Sequence, residues 1–177
     1  MSSFVDRVVG AARLDARIYE EVEADKTATP QAMAVVALAA LASGVGVVTT
    51  EGAGVVHTVV VALVGWVVWA VLIWVVGAKL LPETGTRADV GELLRTLGFA
   101  ASPGLLLVLR VVPLVGLLVG FAVWIWQLAA TVVAVRQALD YRSTARAIIV
   151  CLFGWVVYGL IAFGRAVLLG ITSVTLG

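Results

Sequence analysis

Five long apolar stretches separated by short polar gaps dominate the chain, at about 31–48, 55–78, 92–109, 113–135 and 147–164. A helix needs about 20 residues to cross about 30 Å of hydrocarbon, and each stretch meets or approaches that length. The second holds no Asp, Glu, Lys or Arg. The first is entered through Thr29 and Pro30, a capping hydroxyl followed by a proline suited to the first helical position. In the third, the apolar part starts near Leu97 and Pro103 lies inside it, which predicts a kink or break there. Merging Leu97 to Val119 into one span would give four crossings. The five-span count keeps Arg110 and Pro113 as a turn between two crossings. The pattern predicts an all-α polytopic membrane protein: a five-helix transmembrane bundle over 30–177, preceded by a short amphipathic segment over 1–29.

That leading segment alternates differently. Phe4, Val5, Val8 and Ala12 fall on one helical face, and Leu14, Ile18 and Val22 form a second stripe. Such helices lie on a bilayer surface or pack beneath the bundle. The acidic residues Glu20, Glu21, Glu23 and Asp25 are repelled by anionic lipid and are expected to stay in water. Between the second and third stretches, Pro82 to Gly85 reads as a turn, and Thr86 with Asp89 resembles a capping box opening a helix.

Composition agrees with this reading. Hydrophobic residues make up 62% of the chain and charged residues 13%. A soluble domain is about 25% charged, so the outward surface here must meet lipid. The net charge of +1 gives no electrostatic case for nucleic acid. A single cysteine, Cys151, excludes an internal disulfide. The first 29 residues carry six acids and four bases, unlike a cleavable signal peptide.

Charge then sets an orientation. Ten of the twelve Lys and Arg residues fall before the first stretch, after the second or after the fourth. Only Arg110 and Arg165 fall in the opposite gaps. Cytoplasmic loops carry the basic excess, so the N-terminus is expected in the cytoplasm and, after five crossings, the C-terminus outside.

Candidate chemistry is sparse. There is no Ser/His/Asp set, intramembrane carboxylate pair or HExxH-type motif, so no enzyme, catalytic site, cofactor or metal is expected. His57 is the only histidine, too few for a metal site, and Cys151 reads as a buried inert thiol. Gln127 in the fourth stretch needs a partner inside the bundle, and reads either as an interhelical hydrogen bond or as the lining of a ligand path. Trp66, Trp69, Trp124, Trp126 and Trp155 fall near the expected midplane, as packing bulk or as an aromatic wall for an apolar ligand. Arg165 and Arg110 read as outer-boundary residues. Gly116 with Gly120, and Ala40 with Gly44, allow close helix approach within the monomer or in a dimer. Gly98 to Gly104 around Pro103 is the candidate helix break, a device that some transporters use at binding sites.

The stretch Leu93-Leu94-Arg95-Thr96-Leu97-Gly98-Phe99-Ala100-Ala101-Ser102-Pro103 resembles the LRxxGY…P element of the Yip family of membrane proteins. Trp124-Ile125-Trp126, followed by Ala134-Val135-Arg136-Gln137-Ala138-Leu139-Asp140-Tyr141, resembles that family's fourth span and the loop after it. The resemblance covers most of 30–165 and is greatest to short bacterial members, which implies the five-span fold in a bacterial cytoplasmic (inner) membrane. Eukaryotic relatives bind Rab-type GTPases in vesicle traffic. Their DLYGP element has no counterpart in 1–29, so the resemblance implies a fold more than GTPase binding.

Two functions compete. One is a non-enzymatic scaffold in membrane organisation or trafficking-like processes. Its cytoplasmic Arg87, Arg95, Arg136, Arg142 and Arg146 would meet an unknown protein partner or anionic headgroups. The other is a small oligomeric transporter or channel for an apolar or lipid-like ligand. It has few intramembrane polar residues to draw on, chiefly Ser43, Gln127, Thr131 and Tyr158. Membrane lipids are partners in both, and a homo-oligomer belongs to the second.

Overall fold

A computed structural model describes residues 2–44, 54–112 and 115–175, with side chains described up to residue 160. The described residues form helices joined by short turns and contain no strand. Helix α1 is Phe4–Ala12 and α2 is Ala16–Ala24. A 3-10 turn, Lys26–Ala28, leads into α3, Thr29–Gly44. Helix α4, Val55–Trp74, continues as a π-helical stretch, Val75–Leu80. Helix α5, Val90–Phe99, is followed by a 3-10 helix, Ser102–Val111. Helix α6 is Gly116–Ala138 and α7 is Thr144–Thr175.

By length and apolar composition, Lys26–Gly44, Val55–Leu80, Val90–Val111 and Gly116–Ala138 are long enough to cross a membrane. The apolar part of α7 with described side chains, Thr144–Leu160, is shorter, and its helix runs on to Thr175. The chain is therefore a multi-pass helical membrane protein. Pro113 and the side chain of Arg165 lie outside the described residues, as does the end of the first stretch beyond Gly44.

The third span is the centre of the bundle. Of its apolar window 56% is buried, against 22% in the second and fourth spans. Between them α5 and the 3-10 helix touch α1, α2, α3, α4 and α6. The predicted break is present, but just ahead of the proline: α5 ends at Phe99, and the 3-10 helix opens at Ser102 with Pro103 at its start. Proline lacks the N–H that an α-helix would need there, and it fits the first turn of a new helix. Gly98 brings α5 against α3, where an added Cβ would lie 2.6 Å from Ala32 Cβ and 3.1 Å from Ala32 backbone atoms. Farther along, a Cβ at Gly104 would lie 3.1 Å from Ala39 Cβ. The small residues of 98–104 thus serve close packing.

Several local expectations change. The capping box that opens α5 is Asp89 with Glu92, each side chain accepting from the other's backbone N–H. Thr86 instead closes the preceding turn, its Oγ1 accepting from the Glu83 N–H. Asp25, not Thr29, caps the entry to the first span, by accepting from the Thr27 N–H ahead of the 3-10 turn. Thr29 is already helical. At Gly116, an added Cβ would lie 2.7 Å from the Arg110 carbonyl oxygen, so this glycine serves a close approach within the chain.

The leading segment departs most from expectation. Helices α1 and α2 fold back as a hairpin through Leu14, held at φ 62, and dock on the sides of the third and fourth spans. The buried face of α1 centres on Arg7 and Ala11, with Phe4 and Val8 half-buried, while Val5 faces outward at 65% exposure. In α2, Tyr19 joins Val22 in the core, and its hydroxyl donates to the Ala11 carbonyl at 3.0 Å. The stripe is rotated because a paired arginine, rather than valine, occupies the contact.

Candidate functional site

Charged groups gather where α1, α2, the start of α5 and the end of α6 meet. Arg7 is buried and fully engaged: Nη2 lies 2.9 Å from Glu21 Oε1 and 2.7 Å from Asp25 Oδ2, and Nη1 donates to Gln31 Oε1 at 3.1 Å. Hydrogen bonds from Thr27, and then from Arg7, hold the Asp25 carboxyl down at about 2. Arg95 is buried as well. Its Nε donates to the Val22 and Glu23 carbonyls, both at 3.0 Å, and its Nη2 also reaches the Glu23 carbonyl. These are carbonyls at the C-terminal end of α2, where a helix leaves acceptors unpaired and carries partial negative charge.

The acidic run of α2 is therefore used in docking and not left wholly to water. Glu21 and Asp25 hold Arg7, and Glu20 Oε1 accepts from Gln137 Nε2 at 2.8 Å. Glu23 is half-buried beside Asp140, Glu92 and Glu20. Burial first, and then those negative charges, push its carboxyl up to about 7, against the pull of Arg95. Trp126, midway along α6, donates from Nε1 to the Ala12 carbonyl at 2.6 Å and pins the end of α1.

The five candidate arginines divide. Arg87 and Arg142 have exposed side chains with no side-chain hydrogen bond among the described residues. The Arg142 backbone N–H donates to Glu83 Oε2 at 3.1 Å. Arg146 is exposed but donates to the Pro82 carbonyl at 2.9 Å, and half-buried Arg136 donates to the Tyr141 carbonyl at 3.3 Å. Buried Arg95 is withdrawn from any such surface. The Tyr141 hydroxyl, 2.8 Å from both the Gly77 and Leu81 carbonyls, draws the α6–α7 loop onto the π-helical end of α4. There Lys79 Nζ lies 4.8 Å from the centre of the Trp74 ring.

A second candidate region lies inside the bundle. Trp66 is buried and its Nε1 donates to the Leu94 carbonyl at 3.1 Å, so it fastens α4 to α5. Trp69 meets Tyr158 edge-on with ring centres 6.3 Å apart. Both tryptophans, with Gln127, Thr131 and Trp155, line a cavity of about 350 Å³. Gln127 also lines an adjoining cavity of about 380 Å³ beside Gly104 and Ser43. Trp124 points elsewhere: it is exposed, stacks on Phe121 at 6.3 Å and lies 6.4 Å from Trp155. Pro103 is buried at the helix break beside Ser102, whose buried hydroxyl has no hydrogen-bond partner among the described residues.

Sequence reasoning treated Trp126 as midplane bulk and Arg95 as a surface cation. Both are fasteners that act across more than 70 residues of chain. The clue available was functional-group capacity. An indole N–H or a guanidinium in an otherwise apolar stretch must find an acceptor.

No curated protein and no solved structure matches the chain. The model of the Yip1 domain matches residues 19–166, from the second docked helix through all the described spans. A bundle centred on a broken third span, joined to that match over most of its length, places the chain in the Yip1-domain family of multi-pass membrane proteins.

Proposed function

We propose that this protein is a non-enzymatic scaffold of the bacterial cytoplasmic membrane. Its N-terminus is cytoplasmic and its C-terminus outside, and it organises the membrane by engaging a protein partner or anionic headgroups through its arginine-rich end. The observation that carries this reading is the docked hairpin. Arg7, Arg95 and Trp126 lock α1 and α2 to the spans, giving a fixed platform at the end of the bundle that holds the basic loops. Arg87 and Arg142 remain free on that end to meet carboxylate or phosphate, whose geometry suits arginine. Ten of twelve basic residues fall in the segments assigned to this side, which supports the orientation.

The test is extraction of the chain in native-membrane nanoparticles, with mass spectrometry of the proteins and lipids retained. Arg87→Gln with Arg142→Gln is expected to reduce a bound partner or anionic lipid about a hundredfold, since each of the two lost charge-assisted contacts contributes about 1.5 kcal/mol. Unchanged partners and lipids, with topology intact by reporter fusions at both ends, would end the scaffold reading. The transporter alternative is favoured by one observation, the cavity around Gln127, and calls for flux through reconstituted vesicles.

A further inference from the structure

We propose that the paired cavities around Gln127 form a binding site for an uncharged lipid, an apolar chain bearing a hydroxyl or carbonyl that hydrogen-bonds the Gln127 amide. This does not rest on the scaffold reading, and a static lipid site requires no flux.

The cavities, about 350 and 380 Å³, share Val36, Ala101 and Gln127 and so adjoin across the middle of the bundle. Each volume falls within the range of about 300–1,000 Å³ found for small-molecule sites. Neither lining contains an Asp, Glu, Lys, Arg or His. An uncharged wall in a low-dielectric setting selects an uncharged occupant, because a charged one would lose its hydration without a counter-charge.

The polar groups are few and placed. Gln127 stands eleven residues into α6 from Gly116, and its amide makes no hydrogen bond among the described residues. A primary amide offers two donors and one acceptor, and no water stands ready in hydrocarbon to satisfy them. The Thr131 hydroxyl, also in the lining, donates to the main-chain carbonyl of Gln127 at 2.8 Å and keeps acceptor capacity. The remaining wall is aromatic and aliphatic and includes Trp66, Trp69, Trp155, Val36 and Leu97.

Access decides the source. The rim carries exposed Val61, Trp155 and Tyr158, and its neighbours Val60, Val64, Leu152 and Val156 are also exposed. In a multi-pass protein these valines and leucines contact hydrocarbon, so a molecule crossing this rim comes from the bilayer. Gly65 lies in the lining, and a Cβ there would meet no heavy atom within 4 Å. The groove floor at this point is backbone, with room for a chain.

The test reads tryptophan quenching in phosphatidylcholine vesicles holding rising fractions of a monoacylglycerol with a dibrominated chain. Phosphatidylcholine with the same dibrominated chain is the control. Quenching by the monoacylglycerol is expected to saturate at low fraction and to reach only part of the emission, because Trp66, Trp69 and Trp155 line the site while Trp124 does not. Gly65→Leu, which places bulk in open space, is expected to leave only the linear dependence of the control. Gln127→Leu is expected to raise the half-saturating fraction about tenfold, the equivalent of one hydrogen bond. Thermal unfolding near that of the unmodified chain certifies both variants, and Gly65→Val, which also extends bulk beyond Cβ into the open space, replaces Gly65→Leu if the latter does not fold. Linear quenching in the unmodified protein overturns the proposal. So does saturation that survives both variants, or equal saturation by the phospholipid. Quenching that tracks the protein-to-lipid ratio would assign the cleft to a second copy of the chain and likewise overturn it.

Discussion

The docked hairpin and the spans beside it are both helical and both packed, yet they are held by different forces. Helices α1 and α2 are held by named polar contacts: the Arg7 ion pairs, the Arg95 clasp, Tyr19 to Ala11 and Trp126 to Ala12. The spans are held chiefly by small residues that let backbones approach, as at Gly98 against Ala32 and Gly154 against Ile73 and Trp69, with the bond from Trp66 to the Leu94 carbonyl as a polar exception. The difference follows from the solvent. Hydrocarbon gives apolar side chains no reason to leave it, so helix association there depends on fit. A segment with six acids in its first 25 residues cannot gain enough from fit alone, and it docks by satisfying acceptors that the neighbouring helix ends leave open.

The comparison is most exposed at Arg95. Arg95→Leu leaves the carbonyls of Val22 and Glu23 without their donor and is expected to cost about 3 kcal/mol, the scale of two charge-assisted hydrogen bonds. Residues 1–25 should then become rapidly cleaved by protease in detergent micelles while the spans stay intact. Cleavage at the unmodified rate would show that fit alone holds the hairpin.

Gly98→Val attacks the other half. The added Cβ meets Ala32 backbone as well as its side chain, and backbone cannot swing aside. Overpacking of this kind is expected to cost about 2 kcal/mol in denaturant unfolding in mixed micelles, with the hairpin and spans lost together. A variant as stable as the parent would remove close approach as the force holding α3 to α5.

The smallest expected effect concerns pH. The folded state holds the Glu23 carboxyl at about 7, above its ordinary value of 4.5. Protons therefore bind the folded state first. The contribution of this group is full below pH 4.5 and is lost as pH rises through 7. Thermal midpoints of the unmodified chain should fall across that window, and Glu23→Gln should flatten the fall and stabilise the protein at pH 8. An identical slope in the variant would place the titration elsewhere.

The spans, the break near Pro103 and the membrane class were legible because each is a property of consecutive residues. A run of valines from 55 onward admits one solvent, and a proline interrupts whichever helix contains it. The docked hairpin was legible only as two amphipathic helices that lie on the bilayer surface or pack beneath the bundle. The outward face of Val5 and the buried state of Arg7 depend on partners 14 to 24 residues away. The candidate arginines illustrate the same limit. Arg87 and Arg95 are indistinguishable as cations in a loop-proximal stretch, but α2 ends over one and not the other.

What the sequence determined by itself is the medium and the long helices: apolar length sets where they run, and no rearrangement can hide that much hydrocarbon surface from lipid. What only the tertiary structure decided is which polar groups are consumed. Arg95 and Trp126 are spent on carbonyls more than 70 residues away, while Gln127 is left facing a cavity. Hydrogen bonds are directional and short, so their pairing waits until helices distant in the chain have been brought within about 3 Å.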